Sequence, residues 1–461
     1  MYQNLDELLE ALKGKAEITK EGKVAVLDGD RFCESILDEL TCAAVFSEEE
    51  VKEAARFIIR EAAYDLGLYP SSIQELYEAK GKGEMPETTV PAINVRGLTY
   101  DVCRAVVRSA KKNNSGTFIF ELARSEMGYT EQPPDEYATV VIAACLREGY
   151  RGPVFIQGDH FQVKKDTQEE IKNVKLFIKK SLRAGFYNID LDTSTLVDLS
   201  KPTVYEQQRR NFEVAAELTS FVREIEPEGV TVSLGGEIGE IGGKNSTEEE
   251  LRAYLKGLKD ELNKVSLNIK GVSKIAIQTG TTHGGVPLPD GSIAEANLDF
   301  ETLEKLSNIV IKDYGLAGCV QHGASTLPSE AFYHFPRTRT AEVHLATEYQ
   351  NMIYDHPIFP ENLKEEVYGH LKKAHANEWK EGQSEEQFIY KTRKKGFGPF
   401  KKKFWDLPEE VREKICQDLE ETFDFLFKEL GAANTYAATK EKISRVYVQR
   451  PMPEALKARI S

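Results

Sequence analysis

From residue 89 onward the chain alternates short apolar runs with longer stretches of helical periodicity. The runs are "TVPAINV", "GTFIFEL", "GPVFIQGD", "FYNIDLDTS", "GVTVSLGGEIG", "SKIAIQTGTTHGG", "AGCVQHGAS" and "AEVHLAT". They are short, β-branched and nearly unbroken by polar residues, the pattern of strands buried on both faces. Between them lie segments such as "TYDVCRAVVRSAKKN" and "QEEIKNVKLFIKKSLRAG", whose apolar residues recur at helical spacing. Eight strands alternating with helices over about 260 residues predict one (β/α)8 barrel, an α/β fold. An open doubly wound sheet is the alternative.

The flanks read differently. Residues 1–88 predict a helical N-terminal extension, with Ser47 and Glu50 suited to a capping box, and "AKGKGEMPETTVP" reads as a linker. The barrel is expected over 89–350. Residues 351–461 predict C-terminal helices packing on it, including the long amphipathic "LPEEVREKICQDLEETFDFLFKELG". The basic, aromatic "YKTRKKGFGPFKKKFW" reads as a solvated and partly packed connector.

Composition narrows the class. The formal charge of -15, from 75 acids and 60 bases, argues against nucleic acid as a partner. No run approaches the 18 apolar residues of a membrane span. The acidic amphipathic start, "MYQNLDELLEALKG", is unlike a signal peptide. The six cysteines form no C-x-x-C pair, and a reduced, cytoplasmic protein is expected.

Barrels place chemistry at the C-terminal ends of their strands. The third strand ends in Asp159 and His160, the fourth in Asp190 and Asp192, and the fifth in Glu237. His283, His322, and His344 with Thr347 close the sixth, seventh and eighth. Four of the chain's eight histidines thus fall at one predicted rim. Three imidazoles with an open position suit a catalytic Zn²⁺, though other divalent ions also accept imidazole. The acids of the fourth and fifth strands suit either orientation of those imidazoles or a second cation. "GTTHGG" and "QHGAST" set bare backbone beside two histidines, and Ser325 and Thr347 offer hydroxyls, as an anion site near the last two strands requires. "GEIGEIGGKNSTEEE" reads as a glycine-rich loop before a helix capped at Ser246 or Thr247.

These motifs carry a resemblance. "QGDHFQ", "NIDLDTS", "GGEIGEIGG", "GTTHGG" and "QHGAST", in that order, resemble the class II (metal-dependent) fructose-bisphosphate and tagatose-bisphosphate aldolase family. The match runs from about 89 to 350 and weakly into "KKKFWDLPEE". The resemblance implies that His160, His283 and His322 bind the metal, with Glu237 and Asp190 facing it. It implies that Asp159 handles the proton of the reacting hydroxyl. It implies that Gly284, Gly323, Ser325 and Thr347 cradle the phosphate of a ketose such as fructose 1,6-bisphosphate, in a homo-oligomer (dimer or tetramer).

Two departures stand out. The family's loop usually carries a glutamate just after its double glycine, whereas Gly242 and Gly243 are followed by Lys244, Asn245 and Ser246. An acid from Glu248–Glu250 is the expected replacement. The family's eighth strand usually reads asparagine, apolar, aspartate, threonine, and here it reads His344, Leu345, Ala346, Thr347. A ketose epimerase on the same metal platform, and the non-catalytic subunit of a tagatose-bisphosphate aldolase, remain alternatives. A Schiff-base mechanism would need a lysine inside the barrel, and Lys274 is expected at the wrong end.

Overall fold

The computed structural model of the chain describes residues 2–85, 87–239, 244–280, 288 and 298–460. Eight parallel strands form the expected barrel. They are β1 (Val90–Asn94), β2 (Ile119–Ala123), β3 (Gly152–Gln162), β4 (Asn188–Asp192), β5 (Ser233–Glu237), β6 (Lys274–Ile277), β7 (Cys319–Gln321) and β8 (Glu342–Leu345). Each pairs with the next, and β8 closes on β1 with His344 opposite Ala92. The strands carry almost no polar residues on their outer faces because helices cover them, as in any parallel barrel.

Inside, alternate residues of each strand stack in layers. The lowest layer is apolar, with Val90, Ala92, Ile119 and Phe155 facing Ile73, Leu76 and Tyr77. The last three belong to the N-terminal region, which is therefore not wholly helical or peripheral. It holds helices, a hairpin (Ala16–Ile18 with Val24–Val26) and a short strand, Leu68–Ser71. That strand pairs in parallel with the first residues of β3, Gly152 to Phe155. The buried Asn188 side chain makes the handover to β4. It accepts from the Ile73 N–H at 2.8 Å and donates to the carbonyls of Ser71 and Ile156, both at 3.1 Å. The helix Gln74–Gly81 then seals the barrel floor. "LYPS" escapes notice as a strand because four residues leave no alternation to read.

The middle layer is polar. Glu121, Gln157, Asp190, Lys274 and Glu342 are all buried. Lys274 Nζ lies 2.5 Å from Glu342, 2.9 Å from Asp190 and 2.8 Å from Gln157. Tyr77 donates its hydroxyl to Glu342 from below. Gly235 makes room for this cluster, since a Cβ there would stand 2.2 Å from Asp190 Oδ1.

Above it β3 is irregular. The strand runs past Asp159 to Gln162, and its register on β4 shifts between Gly158 and Phe161. His160 adopts φ +41°, and a Cβ on Gly158 would sit 2.3 Å from the Phe161 ring. Successive residues of a flat strand point to opposite faces. This bulge lets Asp159 and His160 both turn into the barrel.

The C-terminal helix Glu409–Glu429 lies along Thr99–Lys112, where Asp424 accepts from Ser109 at 2.6 Å and Asn113 at 2.7 Å. The chain then passes beneath the barrel, where Ile443 joins the floor cluster and Tyr447 donates to Glu61 at 2.7 Å. The capping box at Ser47 is not formed. The helix Glu49–Asp65 starts one residue later, after Glu48, and no side chain caps it.

The floor contact yields a test. Leu76→Ala, at a side chain 2% exposed, is expected to lower unfolding free energy by about 2–5 kcal/mol in a urea titration, as cavities in a packed core do. A loss below about 0.5 kcal/mol would mean that the N-terminal segment does not share the barrel's core.

Candidate active site

A cavity of about 510 Å³ opens at the C-terminal ends of the strands. Of the residues singled out in the sequence, Asp159, His160, Asp192, Glu237, His322, Gly323, Ser325, His344 and Thr347 line it. His283 and Gly284 fall outside the described residues, as do Gly242 and Gly243.

His160 is the centre of the upper layer. Its Nδ1 stands 2.8 Å from Glu237 Oε1 and 3.4 Å from Asp192, and its Nε2 is 3.6 Å from Asp159. The ring packs against His322 with centroids 4.3 Å apart and planes tilted by 30°. His160, Glu237 and His322 each present a ligand atom within 4.8 Å of the other two. Two imidazoles and a carboxylate so arranged fit a divalent ion such as Zn²⁺. The electrostatics point the same way. Burial disfavours the His160 imidazolium, but Asp159 and Glu237 outweigh it and raise its pKa well above the usual value. Burial, with Asp192 beside it, lifts the Glu237 carboxyl to about 7. A field that recruits a proton this strongly also attracts a metal cation.

The two acids of β4 have separate places. Asp190 does not join the upper histidines His160 and His322. It sits one layer down with Lys274, because residues two apart on a strand share a face at different depths. Asp192 is the one that reaches His160, and Ser194 steadies it with its N–H at 3.2 Å and hydroxyl at 2.7 Å. Lys274 is inside the barrel after all. It is 1% exposed, and although burial opposes its charge, Asp190 and Glu342 raise its pKa. An ammonium locked in this way is not a nucleophile.

The cavity is also lined by basic groups that the sequence does not single out, Arg96, Lys164 and Lys394. Arg96 is held by Glu126 at 2.8 Å through Nε and 2.7 Å through Nη2, and by Gln350 at 3.1 Å. Lys394 comes from the basic segment read as a solvated and partly packed connector. That segment is anchored by the buried Phe397 and Phe404 and by Arg393, which grips Asp355 at 2.6 Å. Burial and the neighbouring Arg96 bring the Lys394 ammonium down to about 8. The alternation of aromatic and basic residues was the available sign, but it does not reveal which surface the aromatics meet. Glu121 and His344 also line the cavity.

On the loop side, Ser325 accepts from the Thr347 N–H at 3.1 Å, which fixes the two hydroxyl-bearing positions together. Thr247 caps the following helix as expected, in a capping box with Glu250. Glu250 is thus held at the helix start, and Glu248 is engaged by Arg252 at 2.9 Å and Lys305 at 3.1 Å. Neither points to a free acid ready to replace the loop glutamate.

A family model described as fructose-bisphosphate aldolase class-II matches residues 74–418. No curated relative matches the chain in sequence. Among solved structures, the chain is similar to the YdjI aldolase from Escherichia coli K12, at 13% identity and a TM-score of 0.47. That match covers 79% of this chain and 98% of the other. It is also similar to a fructose-bisphosphate aldolase from Campylobacter jejuni, at 18% identity and a TM-score of 0.48, covering 80% of this chain and 96% of the other.

His160→Ala is expected to remove at least one tightly held equivalent of divalent metal, measured by elemental analysis after gel filtration, because buried ligand sets bind as units. Metal content equal to that of the unaltered protein would mean that His160 is not a ligand.

Proposed function

The chain belongs to the class II fructose-bisphosphate aldolase family, and on that premise we propose that it reversibly cleaves a ketose bisphosphate such as fructose 1,6-bisphosphate into dihydroxyacetone phosphate and an aldehyde. The observation that carries this reading is one cavity lined both by the His160, Glu237 and His322 donors and by the cations Arg96, Lys164 and Lys394. A divalent ion in the first set, Zn²⁺ on the chemistry of the donors, would supply Lewis-acid polarisation of the ketone oxygen.

The protein's own groups do the rest. Asp159 accepts the proton of the hydroxyl next to the breaking bond. The C–C bond then opens to an aldehyde on one side and an enediolate on the other, which takes up one proton at carbon to give the ketone product. Gly323, Ser325 and Thr347 bind the phosphate of the ketone half. Lys394, with Arg96 beside it, meets the anionic end of the aldehyde half. His283 and Gly284 belong to the same roles by family. We place the enzyme in the cytoplasm as a homo-oligomer. No described helix is long and apolar enough to cross a membrane.

The test is incubation with fructose and tagatose 1,6-bisphosphates, following triose phosphate release and inversion at C4. Release without inversion is the expected result. Inversion alone would make the protein an epimerase, and silence with metal bound would overturn the aldolase reading for these substrates.

Lys394 adds a pH prediction. An anion is bound by the ammonium form, which persists below about pH 8 and is lost above it. kcat/KM for a bisphosphate should therefore fall as pH rises through that value. Lys394→Met should lower kcat/KM about 10–100-fold near pH 7, as loss of a charge-assisted contact does, and should flatten this limb. A variant with an unchanged profile would place the second anion elsewhere.

A further inference from the structure

The floor of the barrel and its upper rim are joined by one run of hydrogen bonds. Tyr77, on the helix Gln74–Gly81 that seals the floor, donates its hydroxyl to Glu342 Oε2. Glu342 Oε1 accepts from His344 Nε2 at 2.6 Å. The far side of the same imidazole, Nδ1, stands 3.1 Å from Asp159 Oδ1 and 3.1 Å from Glu121 Oε2. Both ring nitrogens therefore face carboxylates, which only accept, so both carry protons and donate. Tyr77, Glu342, His344 and Asp159 are all buried, and water does not compete for these bonds.

Each link has little freedom. Glu342 Oε1 also accepts from Lys274 at 2.5 Å and from Gln157 at 2.6 Å, so the carboxylate is gripped at both oxygens. A carboxylate that cannot turn fixes the plane of the imidazole bonded to it, and with it the place of Nδ1. Asp159 is the link that needs such support, because it lies where the register of β3 on β4 is broken. Three imidazoles surround its Oδ1. His344 is the nearest at 3.1 Å, against 3.6 Å for His160 and 4.0 Å for His322. The Tyr77 hydroxyl also has to be accounted for. Ile73, Leu76 and Tyr77 form part of an apolar floor, which a phenylalanine would fill without burying an oxygen. A tyrosine hydroxyl is tolerated in such a place when it finds a partner, and here that partner is Glu342.

We propose that this run of hydrogen bonds, from Tyr77 through Glu342 and His344, sets the direction of the Asp159 carboxylate, and that Tyr77 and His344 are positioning residues for the step Asp159 performs. The inference rests on the role proposed above for Asp159. No proton has to travel along the chain. Its effect is geometric, since the substrate hydroxyl must meet a carboxylate oxygen already aimed at it. A displacement of about 1 Å, even one caused far from the reacting atoms, can cost about 100-fold in rate. The N-terminal segment then takes part in turnover from the opposite end of the barrel.

Steady-state kinetics with fructose 1,6-bisphosphate, and NMR of the full-length Zn²⁺-loaded protein labelled with ¹⁵N-histidine, test this together. Tyr77→Phe should lower kcat about 10-fold, within that limit, and leave KM and metal content unchanged. On an Asp159→Asn background the same substitution should cost less than about twofold, because it acts only through the Asp159 carboxylate. His344→Gln breaks the chain at a later link and should lower kcat further, with Tyr77→Phe adding nothing to it. Leu76→Ala, from the same floor, should lose stability and keep kcat, whereas a floor that acted through stability alone would lower kcat in both floor variants. In the ligand-free protein, Tyr77→Phe and Asp159→Asn should each shift the ring ¹⁵N–H signals of His344, assigned by their loss in His344→Gln. An unchanged kcat in Tyr77→Phe, an equal loss on the Asp159→Asn background, or His344 signals indifferent to Tyr77 would each overturn the proposal. If the unaltered protein releases no triose phosphate, the function proposed above fails instead, and the NMR shifts still decide whether the chain reaches from Tyr77 to Asp159.

Discussion

Everything at the top of this barrel depends on how negative charge is held at its axis. Glu342 is fully buried at the centre, contacted by Lys274, His344, Gln157 and Tyr77 from four elements. Burial alone would keep it protonated, but Lys274 and His344 hold its carboxyl down at about 2. That charge orients His344, and Lys274 in turn fixes Asp190. The interior therefore works as a stack, with an apolar floor, a charged middle and a ligand-bearing top. Removing one member of such a cluster leaves its partners buried and uncompensated, a loss of several kcal/mol.

The same stack gives the N-terminal segment a part in the site. Tyr77 meets Glu342 from a helix that would otherwise look like a peripheral addition. From the other end of the chain, Lys394 reaches the cavity on a segment pinned by Phe397 and Phe404. Segments before and after the barrel thus touch opposite ends of one interior, from below and from the rim. The upper wall is also where the backbone is least regular, with His160 at φ +41° in the bulge. A histidine held in this region costs of order 1–3 kcal/mol. The bulge brings Asp159 and His160 into the cavity together.

Much of this was legible in the sequence, and the reasons for the rest are physical. The eight strands were readable because burial on both faces makes each a continuous apolar run. His160, His322 and Glu237 could be placed because barrel strands end at the rim, and "QGDHFQ" and "QHGAST" interrupt apolar runs there. The bulge could not be read, since strand alternation alone would send Asp159 and His160 to opposite faces. Asp190 and Asp192 share a face, and only depth separates the partner of Lys274 from the partner of His160. Lys274 and Lys394 could not be placed because their positions depend on packing between elements far apart in the chain.

The barrel-top donors fit the metal-dependent cleavage we propose, whereas a Schiff base would need a lysine in the cavity, such as Lys164 or Lys394. Triose phosphate release from fructose 1,6-bisphosphate, measured with and without a chelator and with and without borohydride, separates the two most directly. The account predicts that the chelator abolishes release, that restoring a divalent ion recovers it, and that borohydride leaves the enzyme active. Release that survives the chelator and is lost when borohydride is added with substrate would contradict it.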